Sequence, residues 1–188
     1  DGTVTYTVDL SEFISTTEPG TTIEVKYSAI VENDHTYNNR ATASAETVKY
    51  TPSRVNGFMG NVTLKKVDTK GTTLNGAEFQ LLKVTPAKEG AAATKTPINV
   101  VKVKDGEYKV ALDEEQNATT TLVATNGTLK VTGLDEGSYE FKETKAPTGY
   151  KVNSENKAFT ITADETDEVT VDAGNFVNTK LSSLPSTG

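Results

Sequence analysis

Apolar and polar residues alternate along most of the chain with the period of a strand. Val4, Tyr6 and Val8 alternate near the start. Ile23, Val25, Tyr27 and Ala29 do so more strongly, with Glu24, Lys26 and Ser28 between them. Asn39, Ala41, Ala43 and Ala45 would share one face of a third strand. A period of two puts such residues on one side of a pleated backbone. The same rule predicts strands through Val62 and Leu64, Ala77 to Leu81, Leu129 and Val131, Tyr139 and Phe141, Phe159 and Ile161, and Val169 onward to Asn178. Stretches 98–103, 107–112 and 119–124 complete the set.

Turn chemistry punctuates these runs. Glu18-Pro19-Gly20 and the stretch Gly133 to Gly137 are turn signals, and Asn126-Gly127 predicts a hairpin between Val123 and Leu129. Residues 85–97, rich in Ala, Lys, Thr and Pro, predict an exposed insert. Many short strands with frequent turns give an all-β fold, a β-sandwich. About 50 residues bury too little core to stand alone. Residues 1–50 therefore predict the C-terminal strands of one sandwich domain, and 61–180 a second, complete one. Between them, 51–60 has Pro52, Gly57 and Gly60 and no alternation, which predicts a linker. Residues 181–188 form a short polar tail.

Composition removes several functions. The net charge of -7 and a pI near 4.8 argue against nucleic acid or an anionic membrane as partner. Cysteine is absent, so there is no disulfide and no thiolate metal site. His35 stands alone in a polar loop, and Asp164, Glu165, Asp167 and Glu168 lack the spacing of a calcium loop. No metal or cofactor is predicted. No run of 18 apolar residues spans a membrane, and no signal peptide opens the chain. Asp1 falls in what reads as mid-domain, the expectation for a mature or a truncated fragment.

Three strands break their own pattern in the same way. Tyr139 and Phe141 put a face into the core, and Glu143 follows them. Val62 and Leu64 are followed by Lys66, and Phe176 by Asn178. A charged group on an apolar face is costly unless neutralised or paired. Glu143 could instead be a surface carboxylate paired with Lys142 or Lys145. If the three polar groups meet in the interior, however, they form a reactive set. Burial strips a lysine of its proton, and the neutral amine is a nucleophile. A buried carboxylic acid polarises an amide carbonyl and shuttles protons. The product would be a Lys66–Asn178 isopeptide bond, with ammonia leaving. Lys65 competes in register but falls on the opposite face, with Thr63 and Val67.

The stretches KKVDTKGTTLNGAEFQLLK, ETKAPTGY and FVNTK resemble, in that order, the CnaB-type domains of Gram-positive surface proteins and pilins. The resemblance covers roughly residues 60–180 and implies an Ig-like sandwich. It implies that Lys66 attacks Asn178 with help from Glu143, the acid of the ETxAPxGY motif. Asn39, in Asn39-Arg40-Ala41, resembles a strand that supplies the amide of a second cross-link, its partner lying upstream. The final Leu184-Pro185-Ser186-Thr187-Gly188 matches the LPxTG sorting signal, in which a sortase would attack the Thr187 carbonyl and release Gly188.

Together these imply the C-terminal part of a backbone pilin of the SpaH/EbpB type. It would be a structural subunit outside the cell, with sortase, neighbouring pilin subunits and peptidoglycan as partners, and host surface ligands further possible ones. Such a chain is not a turnover enzyme: no nucleophile–base set serves a second substrate. The rival expectation is the stalk of an LPxTG-anchored adhesin whose ligand-binding head lies upstream.

Overall fold

Alternating runs from residue 60 onward form strands that pack as two layers, while two runs near the start of the chain do not form strands. The computed structural model describes residues 4–27, 37–44, 50–87, 92–162 and 169–182. His35, residues 163–168 and the sorting-signal residues 184–188 lie outside the described residues. The chain divides into two units, Asp1–Ile30 and Val31–Gly188.

In the first unit the strands predicted across Val4–Val8 and Ile23–Tyr27 are absent. The described residues there form no ladder, and Val4 and Tyr6 are 70% and 68% exposed. A strand needs a neighbour for its hydrogen bonds and a layer for its apolar face, and a pair of strands is marginal without one. Among the described residues of this unit the only regular element is a short helix, α1 (Ser11–Ser15), with the Asp9 carboxylate accepting from the Ser11 N–H. Tyr6 and Tyr27 approach to 6.2 Å between ring centroids.

The second unit begins with β1 (Tyr37–Ala41) and β2 (Ser53–Gly57), which pair antiparallel. Strand β2 lies where Pro and Gly predict a linker. Pro52 sits just before it, so the missing N–H falls outside the ladder, and Gly57 is its last residue.

The sandwich follows, with β3 (Gly60–Asp68), β4 (Glu78–Thr85), β5 (Thr94–Pro97), β6 (Val100–Lys104), β7 (Glu107–Val110), β8 (Leu122–Val123), β9 (Thr128–Leu134), β10 (Gly137–Lys145), β11 (Lys157–Ile161) and β12 (Val169–Asn178). One sheet has the order β11-β10-β4-β5, with β8 also on β4; the other runs β12-β3-β9-β7-β6. Strand β5 pairs with β4 although the composition of 85–97 predicts an insert; all four of its residues are exposed, so no apolar pattern marks it. The Asn126-Gly127 turn forms with both residues at positive φ, as its sequence predicts. Thr125 and Thr128 pair antiparallel across it, each N–H donating to the other's carbonyl at 3.0 and 2.9 Å, so the turn closes a minimal hairpin even though the flanking strands β8 and β9 belong to different sheets.

Apolar residues of both inner faces fill the core: Val62, Leu64, Leu129 and Val131 from one sheet, Phe79, Leu81, Tyr139, Phe141 and Ile161 from the other. Gly60 opens β3 as a close contact rather than a hinge. A Cβ there would lie 2.5 Å from Ile161 Cγ2. Tyr139 donates its hydroxyl to the Asp135 carbonyl at 2.8 Å, pinning the turn that starts β10.

Two features of the second sheet set up the site. The first and last strands of the sandwich, β3 and β12, lie side by side and run parallel. Strand β12 also carries a β-bulge between Asp172 and Asn175. Gly174, at φ 78°, takes up the extra residue and donates its N–H to the Asp172 carboxylate. Strict alternation from Val169 and Val171 would carry Asn175 and Val177 inward. The bulge instead aims Phe176 and Asn178 at the core.

Candidate functional site: a buried lysine, acid and amide

Lys66, Glu143 and Asn178 have relative exposures of 0%, 4% and 1%. Each arrives by its strand's parity. Along β3, Val62, Leu64 and Lys66 face inward while Lys65 is exposed, so the register competitor points away. Along β10, Glu143 follows Tyr139 and Phe141 into the interior. The surface-pair alternative for Glu143 fails, because Lys145 Nζ bonds Glu78 Oε1 at 2.6 Å and Lys142 is exposed. The turn at Gly127 backs Lys66: the Lys66 N–H donates to the Gly127 carbonyl at 2.8 Å. A Cβ at Gly127 would come within 2.5 Å of Thr73 Cβ, so only glycine seats the turn there.

Lys66 Nζ donates to the Phe176 carbonyl at 2.8 Å and lies 3.4 Å from that of Val67. It is 5.3 Å from the Phe176 ring centroid. The ring of Phe176 meets Phe79 edge-on at 5.0 Å. These rings help keep water out. Glu143 Oε1 is 3.9 Å from Nζ, too far for a hydrogen bond. Burial pushes the lysine down from 10.5 to about 8, against the pull of Glu143. About a tenth of the amine is therefore neutral at pH 7, far more than for a solvated lysine.

Glu143 Oε2 accepts from Asn178 Nδ2 and from the Asn153 backbone N–H, each at 2.7 Å. Asn178 Nδ2 also donates to the Lys151 carbonyl at 2.6 Å. Glu143 Oε1 and Asn178 Oδ1 have no hydrogen-bond partner among the described residues. Unsatisfied buried polar atoms are rare and costly, and a buried ion pair with poor geometry does not repay its desolvation. As a set of resting contacts the cluster is therefore poor. The acid nevertheless approaches both of the other groups, Lys66 Nζ at 3.9 Å and Asn178 Nδ2 at 2.7 Å. One carboxyl oxygen faces the nitrogen that would attack, and the other holds the nitrogen that would leave.

Asn39 lies on β1 opposite Val55, with its side chain exposed, and is not part of this cluster. Sequence patterning missed Lys151 and Asn153. They lie on the segment between β10 and β11, where nothing alternates, and the available signal was the Asn-Ser-Glu run typical of an Asx turn. The Asn153 side-chain oxygen does accept from the Glu155 N–H at 3.0 Å.

A family model described as SpaA, prealbumin-like fold domain, matches residues 60–175, well over half the chain. The chain belongs to the SpaA prealbumin-like domain family. The match runs from the start of β3 to within three residues of Asn178, so this SpaA-type domain coincides with the sandwich. No curated protein matches by sequence. Among solved structures, the fimbrial protein FimP from Actinomyces oris aligns with TM-score 0.52 at 19% identity, over 80% of this chain and 40% of that one. The minor pilin GBS52 of Streptococcus agalactiae aligns with TM-score 0.47 at 22% identity, over 80% of this chain and 63% of that one. The shaft pilin SpaA of Lactobacillus rhamnosus GG gives TM-score 0.44 at 22% identity, over 73% and 52%. The chain thus spans less than two thirds of each of these proteins. At such identities the likeness concerns the SpaA-type fold. Among the described residues no helix is long and apolar enough to cross a membrane.

Proposed function

We propose that this chain is part of a structural subunit of a sortase-assembled pilus, and that its SpaA-type domain locks itself with a Lys66–Asn178 isopeptide bond. The observation that carries this reading is the burial of Lys66, Glu143 and Asn178 together, with Glu143 facing both nitrogens. Family membership and the fold shared with a fimbrial protein support the pilus role.

The neutral Lys66 amine attacks Cγ of Asn178, forming an N–C bond. One amine proton passes to the Glu143 carboxyl. The same carboxyl delivers a proton to Nδ2, the Cγ–Nδ2 bond breaks, and ammonia leaves. Lysine amine plus asparagine amide thus become a secondary amide plus ammonia, with Glu143 regenerated. This happens once per chain, so the protein is not an enzyme. The Leu184–Gly188 signal makes the chain a sortase substrate, cleaved after Thr187, with neighbouring subunits and peptidoglycan as acceptors. Its place is the Gram-positive cell surface.

The test is intact mass. The native protein should be lighter than its sequence mass by one ammonia, roughly 17 Da, and Lys66→Ala or Asn178→Ala should restore the full mass. A native chain of full mass would refute the cross-link.

A further inference from the structure

The segment joining β10 to β11 leaves one sheet at Lys145 and returns to it at Lys157. In between it is fastened to the end of β12, in the other sheet. The Leu181 N–H donates to the Gly149 carbonyl at 2.9 Å, and the Lys151 N–H to the Thr179 carbonyl at 2.9 Å. The Lys151 carbonyl takes Asn178 Nδ2. Asn153 Nδ2 then donates to the Val177 carbonyl at 3.1 Å. This strap thus holds four nearby residues around the acceptor amide.

Asn153 is where the strap meets the acid. Its backbone N–H donates to Glu143 Oε2, its side-chain nitrogen grips the carbonyl joining Val177 to Asn178, and its side-chain oxygen closes a turn onto the Glu155 N–H. That turn fixes the direction of the backbone N–H. A single residue therefore references the acid on one sheet to the amide on the other. Sandwich packing alone aligns layers through side chains that slide and repack; a hydrogen-bonded pin does not. In-line attack on an amide tolerates little misplacement, and small shifts at reacting atoms cost large factors in rate.

We propose that Asn153 is a positioning residue for cross-link formation, which fixes the Glu143 carboxyl relative to the Asn178 amide. This rests on the isopeptide reading above. Closure of the strap onto β12 then precedes the bond, so that only a chain whose last strand has docked is locked.

The full chain is made by cell-free translation, synthesis is stopped, and the loss of 17 Da is followed by intact mass over time. Asn153→Ala should slow the loss about tenfold, the factor for one orienting hydrogen bond. Asn153→Ser keeps an acceptor for the turn but loses the grip on the Val177 carbonyl, and should react faster than Asn153→Ala and slower than wild type. Asn156 is the control: its side chain donates to Glu140 Oε2 in the same segment but touches no reacting group. Asn156→Ala should leave the rate unchanged. In a Glu143→Gln background, where no bond forms, thermal unfolding of the two alanine variants measures their purely structural cost. If both alanine variants slow the reaction equally, or neither does, the positioning role is overturned. If Asn153→Ala proves poorly folded, a Ser variant no faster than one-tenth of wild type overturns it as well. A wild-type chain that keeps its full mass instead defeats the isopeptide reading itself, and the proposal falls with it.

Discussion

Glu143→Gln removes the proton relay while keeping the shape of the side chain. The glutamine oxygen can still accept from the Asn153 N–H and from Asn178 Nδ2, as Oε2 does now. In the locked wild type Lys66 Nζ is an uncharged amide nitrogen, so the 3.9 Å approach of Glu143 to a lysine amine belongs only to the uncross-linked chain. The difference in stability between wild type and variant is then mainly the covalent closure between Lys66 and Asn178. A cross-link closing about 110 residues restricts the unfolded chain by about 4.8 kcal/mol on the loop-entropy model. For a unit of this size that shift is roughly 15 °C in Tm. The assay pairs intact mass with thermal unfolding followed by circular dichroism. The variant should weigh roughly 17 Da more than wild type and melt about 15 °C lower. If it is heavier but melts within about 3 °C of wild type, the clamp contributes no such restraint. If it is as light as wild type, Glu143 has no part in the chemistry.

Three further outcomes follow from the same geometry. With Lys66 held at about 8, the cross-linking rate of freshly made chain should rise about tenfold per unit up to pH 8 and level off above it. The sign follows from burial, which favours the neutral, attacking form below the usual lysine range; a rate still climbing at pH 10 would mark an ordinary, solvated amine. Deleting Gly174 removes only the extra residue of the bulge, so Asn178 still faces inward and mass spectrometry should find the deficit, whereas deleting Val177 turns Asn178 outward and should abolish it; the opposite pattern would contradict the assignment of faces. Phe176→Ala, measured by urea unfolding in the Glu143→Gln background, should cost about 3–5 kcal/mol, because the ring is buried edge-on against Phe79; a loss under about 1 kcal/mol would mean that it packs on nothing.

The candidate site was legible because period-two alternation is a local signal and a polar residue at its end is conspicuous. Lys66, Glu143 and Asn178 each stood out against the apolar run before them. The bulge at Gly174 was not legible: the chain alternates on both sides of it, and only pairing with β3 reveals the phase change. Strand β5 escaped because all its residues are exposed, so its pairing with β4 leaves no hydrophobic trace. The reverse error occurred at Val4–Val8 and Ile23–Tyr27, where alternation is clear but no layer receives it. Alternation records which face could be buried; burial itself depends on a partner surface. Asn153 was hidden for a third reason, since its role rests on backbone direction, which composition does not encode.

The parallel pairing of β3 and β12 fixes the direction of travel of the chain through the sandwich. The polypeptide comes in along β3 and goes out along β12 heading the same way, so its ports lie at opposite poles, about 30 Å apart for nine residues of strand. An antiparallel pair would have returned the exit to the entrance and made the domain a side branch. With this topology the sandwich is an in-line segment of the chain rather than a side branch.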